Sequence, residues 1–134
     1  MQLPRVDRRE LAAIYIGGVF GALARVGLAQ AAPHGAGGWP WATFAANMAG
    51  ALALGYFVTR LQERLPPSSY RRPLLGTGFC GALTTFSTLQ LELFGMLETG
   101  RFALAAAYAA ATILGGFACV HLATAAVRRT RMAR

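Results

Sequence analysis

Charge is the scarcest property of this 134-residue chain: 13% of its residues are Asp, Glu, Lys or Arg, and lysine is missing altogether. Asp7 is the one aspartate, and two histidines, two cysteines and four glutamates complete the stock of metal-ligating side chains. Cys80 and Cys119 lie in apolar stretches without a CxxC partner, so they read as small packing residues rather than ligands or a disulfide. His34 falls in a short loop and His121 in the last apolar stretch. They do not make the facing pair that a haem anchor needs, and they read as a surface and an intrahelical histidine. No hydrolytic or metal-catalytic constellation can be assembled from this inventory, so the chain reads as something other than an enzyme.

What is abundant is hydrocarbon, at 55% of the residues. The few charges separate four apolar stretches, residues 11–32, 41–59, 73–97 and 102–127. Each has the roughly 20 residues needed to cross a hydrocarbon core about 30 Å thick. The expected class is a single-domain, all-α integral membrane protein with four transmembrane helices, helical because lipid offers no partner to exposed backbone groups. A cleavable leader is the competing account of the first stretch, since Arg5, Arg8 and Arg9 precede it and "AQAA" at 29–32 imitates a cleavage site. Against it, Arg25 interrupts the run and the segment is long enough to span.

All thirteen basic residues are arginines, and eleven of them fall in three places. Arg5, Arg8 and Arg9 precede the first stretch, Arg60, Arg64, Arg71 and Arg72 lie between the second and third, and Arg128, Arg129, Arg131 and Arg134 end the chain. In a four-span protein these places share one side, and by the positive-inside rule that side, with both termini, is cytoplasmic. The net charge of +8 is therefore an orientation signal first. A nucleic-acid partner is a weak reading, because no folded basic domain exists to carry one.

Small and polar residues fill the spans unevenly. Gly17, Gly21 and Arg25 recur at intervals of four on one face of the first, a spacing that lets helix backbones approach where lipid removes the usual hydrophobic drive. Thr43 and Asn47 share a face of the second, and Tyr108 and Thr112 share one of the fourth. In the third, "GFCGALTTFSTLQLE" at 78–92 sets two glycines, then Thr84, Thr85, Ser87 and Thr88, then Glu92 where a continuous helix would be weakened by all of them. An intramembrane amide or carboxylate must face protein or water, so converging polar positions on three helices suggest a hydrophilic pathway. The glycines and the Thr-Thr pair favour a break, making two half-helices that meet near mid-membrane. Carbonyls at the end of the first half, around Gly81 to Thr84, suit a cation, while free N–H groups and hydroxyls at the start of the second suit an anion. Phe86 adds the partially positive edge of an aromatic ring. Donors and ring edges without lysine would suit a small, hard anion that must be partly dehydrated.

At these residues a resemblance becomes specific. "GALTTFST" at 81–88, with "GALAR" in the first span and "TFAANMAG" in the second, resembles the Fluc (CrcB) family of bacterial fluoride channels over essentially the whole chain. The resemblance implies a plasma-membrane channel that passes fluoride out of the cytoplasm passively and so lowers its toxicity. It implies an antiparallel dimer with two pores between the chains and a structural, non-transported sodium ion at the dimer centre. On the matching positions, main-chain oxygens of Gly81 and Thr84 would hold the sodium. Thr43, Asn47, Phe86, Ser87, Thr88, Tyr108 and Thr112 would line the pores, and Arg25 and Glu92 would be structural charges.

Two departures stand out. The family's string ends in a second phenylalanine, where this chain has Leu89, and the arginine bias is strong for a chain that must insert both ways. Both fit one half of a heterodimer whose sibling chain inserts oppositely. Two other classes remain: a small four-helix multidrug exporter, which would want its carboxylate in the first span, and a non-transporting membrane subunit, which would need no converging polar residues.

Overall fold

The computed structural model describes residues 7–35, 38–63 and 70–132, with side chains to residue 130. Arg5, Arg64 and Arg134 of the arginine clusters, and the side chain of Arg131, lie outside the described residues. Helix α1 spans Arg8–Ala31 and α2 spans Trp41–Glu63. A π-helical segment, Pro73–Cys80, runs into a single turn, α3, at Gly81–Leu83. Helix α4 follows at Phe86–Glu98 and α5 at Phe102–Met132.

The ends of these helices obey local chemistry. Asp7 caps α1, its Oδ1 accepting from the N–H of Arg9 at 2.9 Å and of Glu10 at 3.4 Å, which satisfies two donors that the first turn leaves over. Helix α4 closes in a Schellman arrangement: Gly100 takes φ +71°, its N–H bonds Leu97 O at 3.0 Å, and Arg101 N–H bonds Met96 O at 2.8 Å. Pro73 begins the π-helical segment, where its missing N–H is harmless.

Among the described residues three helices are long and apolar enough to cross a membrane: Arg8–Ala31, Trp41–Glu63 and Phe102–Thr130. The third apolar stretch is cut at Thr84 (φ −76°, ψ 153°) and Thr85 (φ −146°, ψ 122°), both extended, so neither half alone reaches spanning length. The π-helical register before the cut has no counterpart in the sequence reading.

Packing uses small residues more than large ones. α1 lies along the segment from Pro73 to Leu83, and α2 lies along α5. A Cβ at Gly78 would sit 2.5 Å from Ile14 O and 3.0 Å from Gly18 N, so the two backbones are as close as glycine permits. A Cβ at Gly55 would likewise meet Val120 O at 2.7 Å across the α2–α5 seam. One compact core of larger side chains exists, Leu89, Met96, Ala105 and Tyr108, covered by Trp39, Phe44, Leu93 and Leu104. Elsewhere large apolar groups point outward, among them Tyr15, Phe20, Leu23, Phe86, Leu91, Phe117 and Leu122. Such an exterior is at home in lipid or against another chain, not in water.

At the arginine-rich end Arg128 places Nε at 3.0 Å and Nη2 at 2.8 Å from Glu63 Oε1, tying the ends of α2 and α5 together. Arg60 lies 5.6 Å over the Tyr56 ring, a contact that covers its apolar stem as well as its charge.

Candidate functional site

The break is held by a side chain from another helix. Asn47, on α2, accepts from the N–H of Thr85 at 2.8 Å through Oδ1 and donates to Thr85 O at 3.2 Å through Nδ2. It thus pairs with an extended residue as a neighbouring strand would, supplying the partners that the interrupted helix cannot. Thr85 in turn caps α4: its Oγ1 accepts from Thr88 N–H at 3.3 Å and lies 3.0 Å from Thr88 Oγ1 and 3.4 Å from Ser87 Oγ. On the other side of the break Thr84 folds back, with N–H and Oγ1 both donating to Cys80 O, at 3.1 and 3.0 Å. Thr85, 7% exposed, is the residue that joins these parts. Its sequence signal was the position of an N-cap, a threonine three residues before a second threonine at the head of an apolar run.

Two turns further along α4, Glu92 gathers a second group. Thr43 Oγ1 donates to Oε1 at 2.5 Å and Tyr108 OH donates to Oε2 at 2.7 Å. His34 Nε2 lies 3.8 Å from Oε1. One carboxylate therefore connects α2, α5 and the α1–α2 connection. Tyr108 is fully buried beneath Trp39, whose ring meets it edge-on at 5.2 Å. His34 is exposed, as read from the sequence, and is also a neighbour of the carboxylate; that contact and Trp39 were missed, because loop residues carry no periodicity that would place them.

The remaining candidates divide between the interior and the outside. Thr112 is buried, and its Oγ1 has no partner among the described residues. Arg25 is half-buried, its Nε likewise unpartnered, and with Thr43, Thr85 and Thr88 it borders a cavity of 240 Å³. Phe86 is 72% exposed and Ser87 is exposed beside it. Leu89, three residues on, is turned the other way into the core against Met96, Ala105 and Tyr108. It reaches no open face of the isolated chain.

Gly81 and Thr84 lie apart from the Glu92 group. They border a recess of 440 Å³ with Gly50, Leu54, Gly76, Ile113 and Phe117 among its other walls. A Cβ at Gly81 would meet nothing within 4 Å. Among the described residues no three His, Cys, Asp or Glu side chains are grouped to hold a metal. A cation here would have neutral oxygens only, which fits a hard ion of low charge and not a transition metal. The recess is lined mostly by apolar atoms, so Gly81 and Thr84 alone would not complete a cation's shell within one chain.

Long apolar helices, a lipid-like exterior and polar groups gathered at an interrupted segment define a multi-pass integral membrane protein of the transport kind. The family model described as "CrcB-like protein, Camphor Resistance (CrcB)" matches residues 12–124, and the chain belongs to that family. It is 57% identical over 132 residues, 98% of this chain and 100% of the relative, to "Fluoride-specific ion channel FluC 1" of Mycobacterium bovis. It is 39% identical to "Fluoride-specific ion channel FluC 2" of Nocardia farcinica, over 95% of this chain and 91% of that protein. A third relative, "Fluoride-specific ion channel FluC" of Chlorobaculum tepidum, is 39% identical over 81% of this chain and 86% of its own length. These relatives are named as bacterial ion channels, not enzymes.

Proposed function

We propose that this chain is a subunit of a fluoride-selective channel that lets the anion leave the bacterial cytoplasm down its gradient. The observation that carries the proposal is the 57% identity, end to end, to a fluoride-specific ion channel. The reading includes four membrane crossings, the third through Pro73–Leu83 and Phe86–Glu98 in tandem, and a dimer with an oppositely inserted second copy or sibling chain. The exposed large apolar groups of α4, Phe86, Leu91, Phe94 and Leu97, form a face that supports a second chain.

In this reading the break supplies donors to an anion that has shed water. Asn47 spends one amide N–H on Thr85 O and keeps a second. Ser87 and Thr88 add hydroxyls at the start of α4, where the helix dipole favours negative charge. Phe86 offers a ring edge. Thr43 and Tyr108 at present donate to Glu92, so they would serve an anion only by turning away from the carboxylate; Thr112 has its hydroxyl to give. Arg25 contributes positive potential beside the cavity that Thr43, Thr85 and Thr88 share. Main-chain oxygens at Gly81 and Thr84 would hold the sodium ion together with the same oxygens of the second chain. That ion would join the two breaks and stay in place.

Vesicles carrying the purified protein test the reading. Fluoride should leave them down its gradient while chloride is retained, and no flux above protein-free vesicles would overturn it. Exchange of all sodium for a large organic cation should abolish flux slowly, and restored sodium should return it without itself crossing. Reporters on both termini test the partner: one orientation when expressed alone, with weak flux, supports a sibling chain, and equal orientations with full flux support a homodimer.

A further inference from the structure

The Glu92 carboxylate poses a problem for the channel just described. It is a carboxylate whose side chain is 9% exposed, next to hydroxyls assigned to an anion's path. Its two hydrogen-bonded partners, Thr43 and Tyr108, bring no positive charge. The basic side chain placed on it is His34, whose Nε2 stands 3.8 Å from Oε1. That separation is too long for a hydrogen bond and short enough to become one when the imidazole is charged, since N⁺–H···O⁻ contacts close to about 2.8 Å. His34 is also reachable: its side chain is 31% exposed, and it lines, with Glu92, a cavity of 360 Å³.

Resting on the channel reading, we propose that His34 is a proton-operated positioning residue for Glu92: its protonation offsets the carboxylate, draws it toward the loop, and raises anion entry. Histidine is the side chain whose charge ordinarily changes between pH 5 and 8. Other charged and titratable groups define the setting. Glu98, on α4, borders the same cavity and adds negative charge, Tyr108 faces Glu92 from α5, and from α1 Arg25 borders the neighbouring cavity that Thr43 shares. Arg101 lies in the turn after α4. His34 Nε2 is 3.8 Å from the carboxylate, and a charged imidazole there has two gains, attraction to Glu92 and relief of its repulsion of a passing anion. The consequence is a channel that opens wider in acid, the condition under which fluoride crosses lipid as the neutral acid.

The test compares wild type, His34→Gln and His34→Lys in vesicles, with fluoride efflux measured at pH 7.5 and 6.0, equal on both sides and corrected with protein-free vesicles for leak of the neutral acid. Wild-type flux should rise roughly threefold on acidification, in line with one added charge near the path. The Gln variant should stay low and the Lys variant high, each without the pH step. A pH step that survives in His34→Gln, a flat wild type, or a Gln variant lowered by one factor at both pH values would overturn the proposal and leave the channel intact. Flux equal to protein-free vesicles in all three proteins at both pH values would overturn the channel reading itself, and this inference with it.

Discussion

Before the break, Pro73, Gly76, Gly78, Cys80 and Leu83 are buried; after it, Phe86 and Leu91 are each 72% exposed, Phe94 59% and Leu97 46%. The two halves belong to one apolar stretch, yet the first is packed on its own chain and the second presents its largest groups outward. Residue size explains the contrast. Glycines before the break let α1 come to backbone contact, and dispersion over that seam is gained within the chain. Of the large apolar residues after the break, Leu89, Met96 and Leu93 find partners within the chain, in the core with Ala105, Tyr108, Phe44 and Leu104, and the larger rings are left outside it. The first half is a structural joint, then, and the second leaves its largest apolar groups on the surface of the chain.

The contrast is easiest to break at Gly78. Leucine there would force a branched side chain onto the backbone of Ile14 and Gly18, which cannot yield, and should cost at least ~3 kcal/mol. Purification should give aggregate in place of a monodisperse peak, whereas Phe94→Ala, in the second half, should purify normally. Equal damage from both would erase the distinction.

Asn47 joins the halves, and Asn47→Ala leaves Thr85 without its side-chain donor and acceptor. The expected loss is ~2 kcal/mol, read as a lowered thermal midpoint in detergent. Asn47→Asp keeps the acceptor for Thr85 N–H but sets a carboxylate oxygen against Thr85 O, and should lose at least as much. An unchanged midpoint in the alanine variant would mean that water fills the gap.

Phe86→Ile tests the second half as a functional face. The fold should survive, since the ring makes little contact within the chain, while fluoride flux falls roughly tenfold, equivalent to ~1.4 kcal/mol at the barrier. Undiminished flux would remove Phe86 from the pathway. The smallest effect is expected at Gly100, whose φ of +71° closes α4. Gly100→Ala should cost ~1 kcal/mol in stability, with flux per folded protein unaltered.

How legible these features were in the sequence depended on their range. Apolar stretches 11–32 and 102–127 overlap the helices Arg8–Ala31 and Phe102–Met132, because apolar length is read directly from composition. The interruption at Thr84 and Thr85 was readable, because paired threonines between a glycine-rich turn and an apolar run are local chemistry. The partner of that interruption was not. Asn47 was expected to face a pathway, but nothing in a one-dimensional pattern says that an amide 38 residues away will take both backbone groups of Thr85.

By itself the sequence determined the class of the molecule. Apolar length sets the number of stretches that can cross a bilayer, and the glycine spacing sets which faces can touch, both through energies that depend on composition and short spacing. Tertiary structure alone decided which polar group answers which. Glu92 has Thr43, Tyr108 and His34 around it, Leu89 is turned inward and Phe86 outward, since these choices follow from how four helices pack at once. A buried donor or acceptor takes whichever partner the packing brings within 3 Å, and that distance is fixed by elements far apart in the chain.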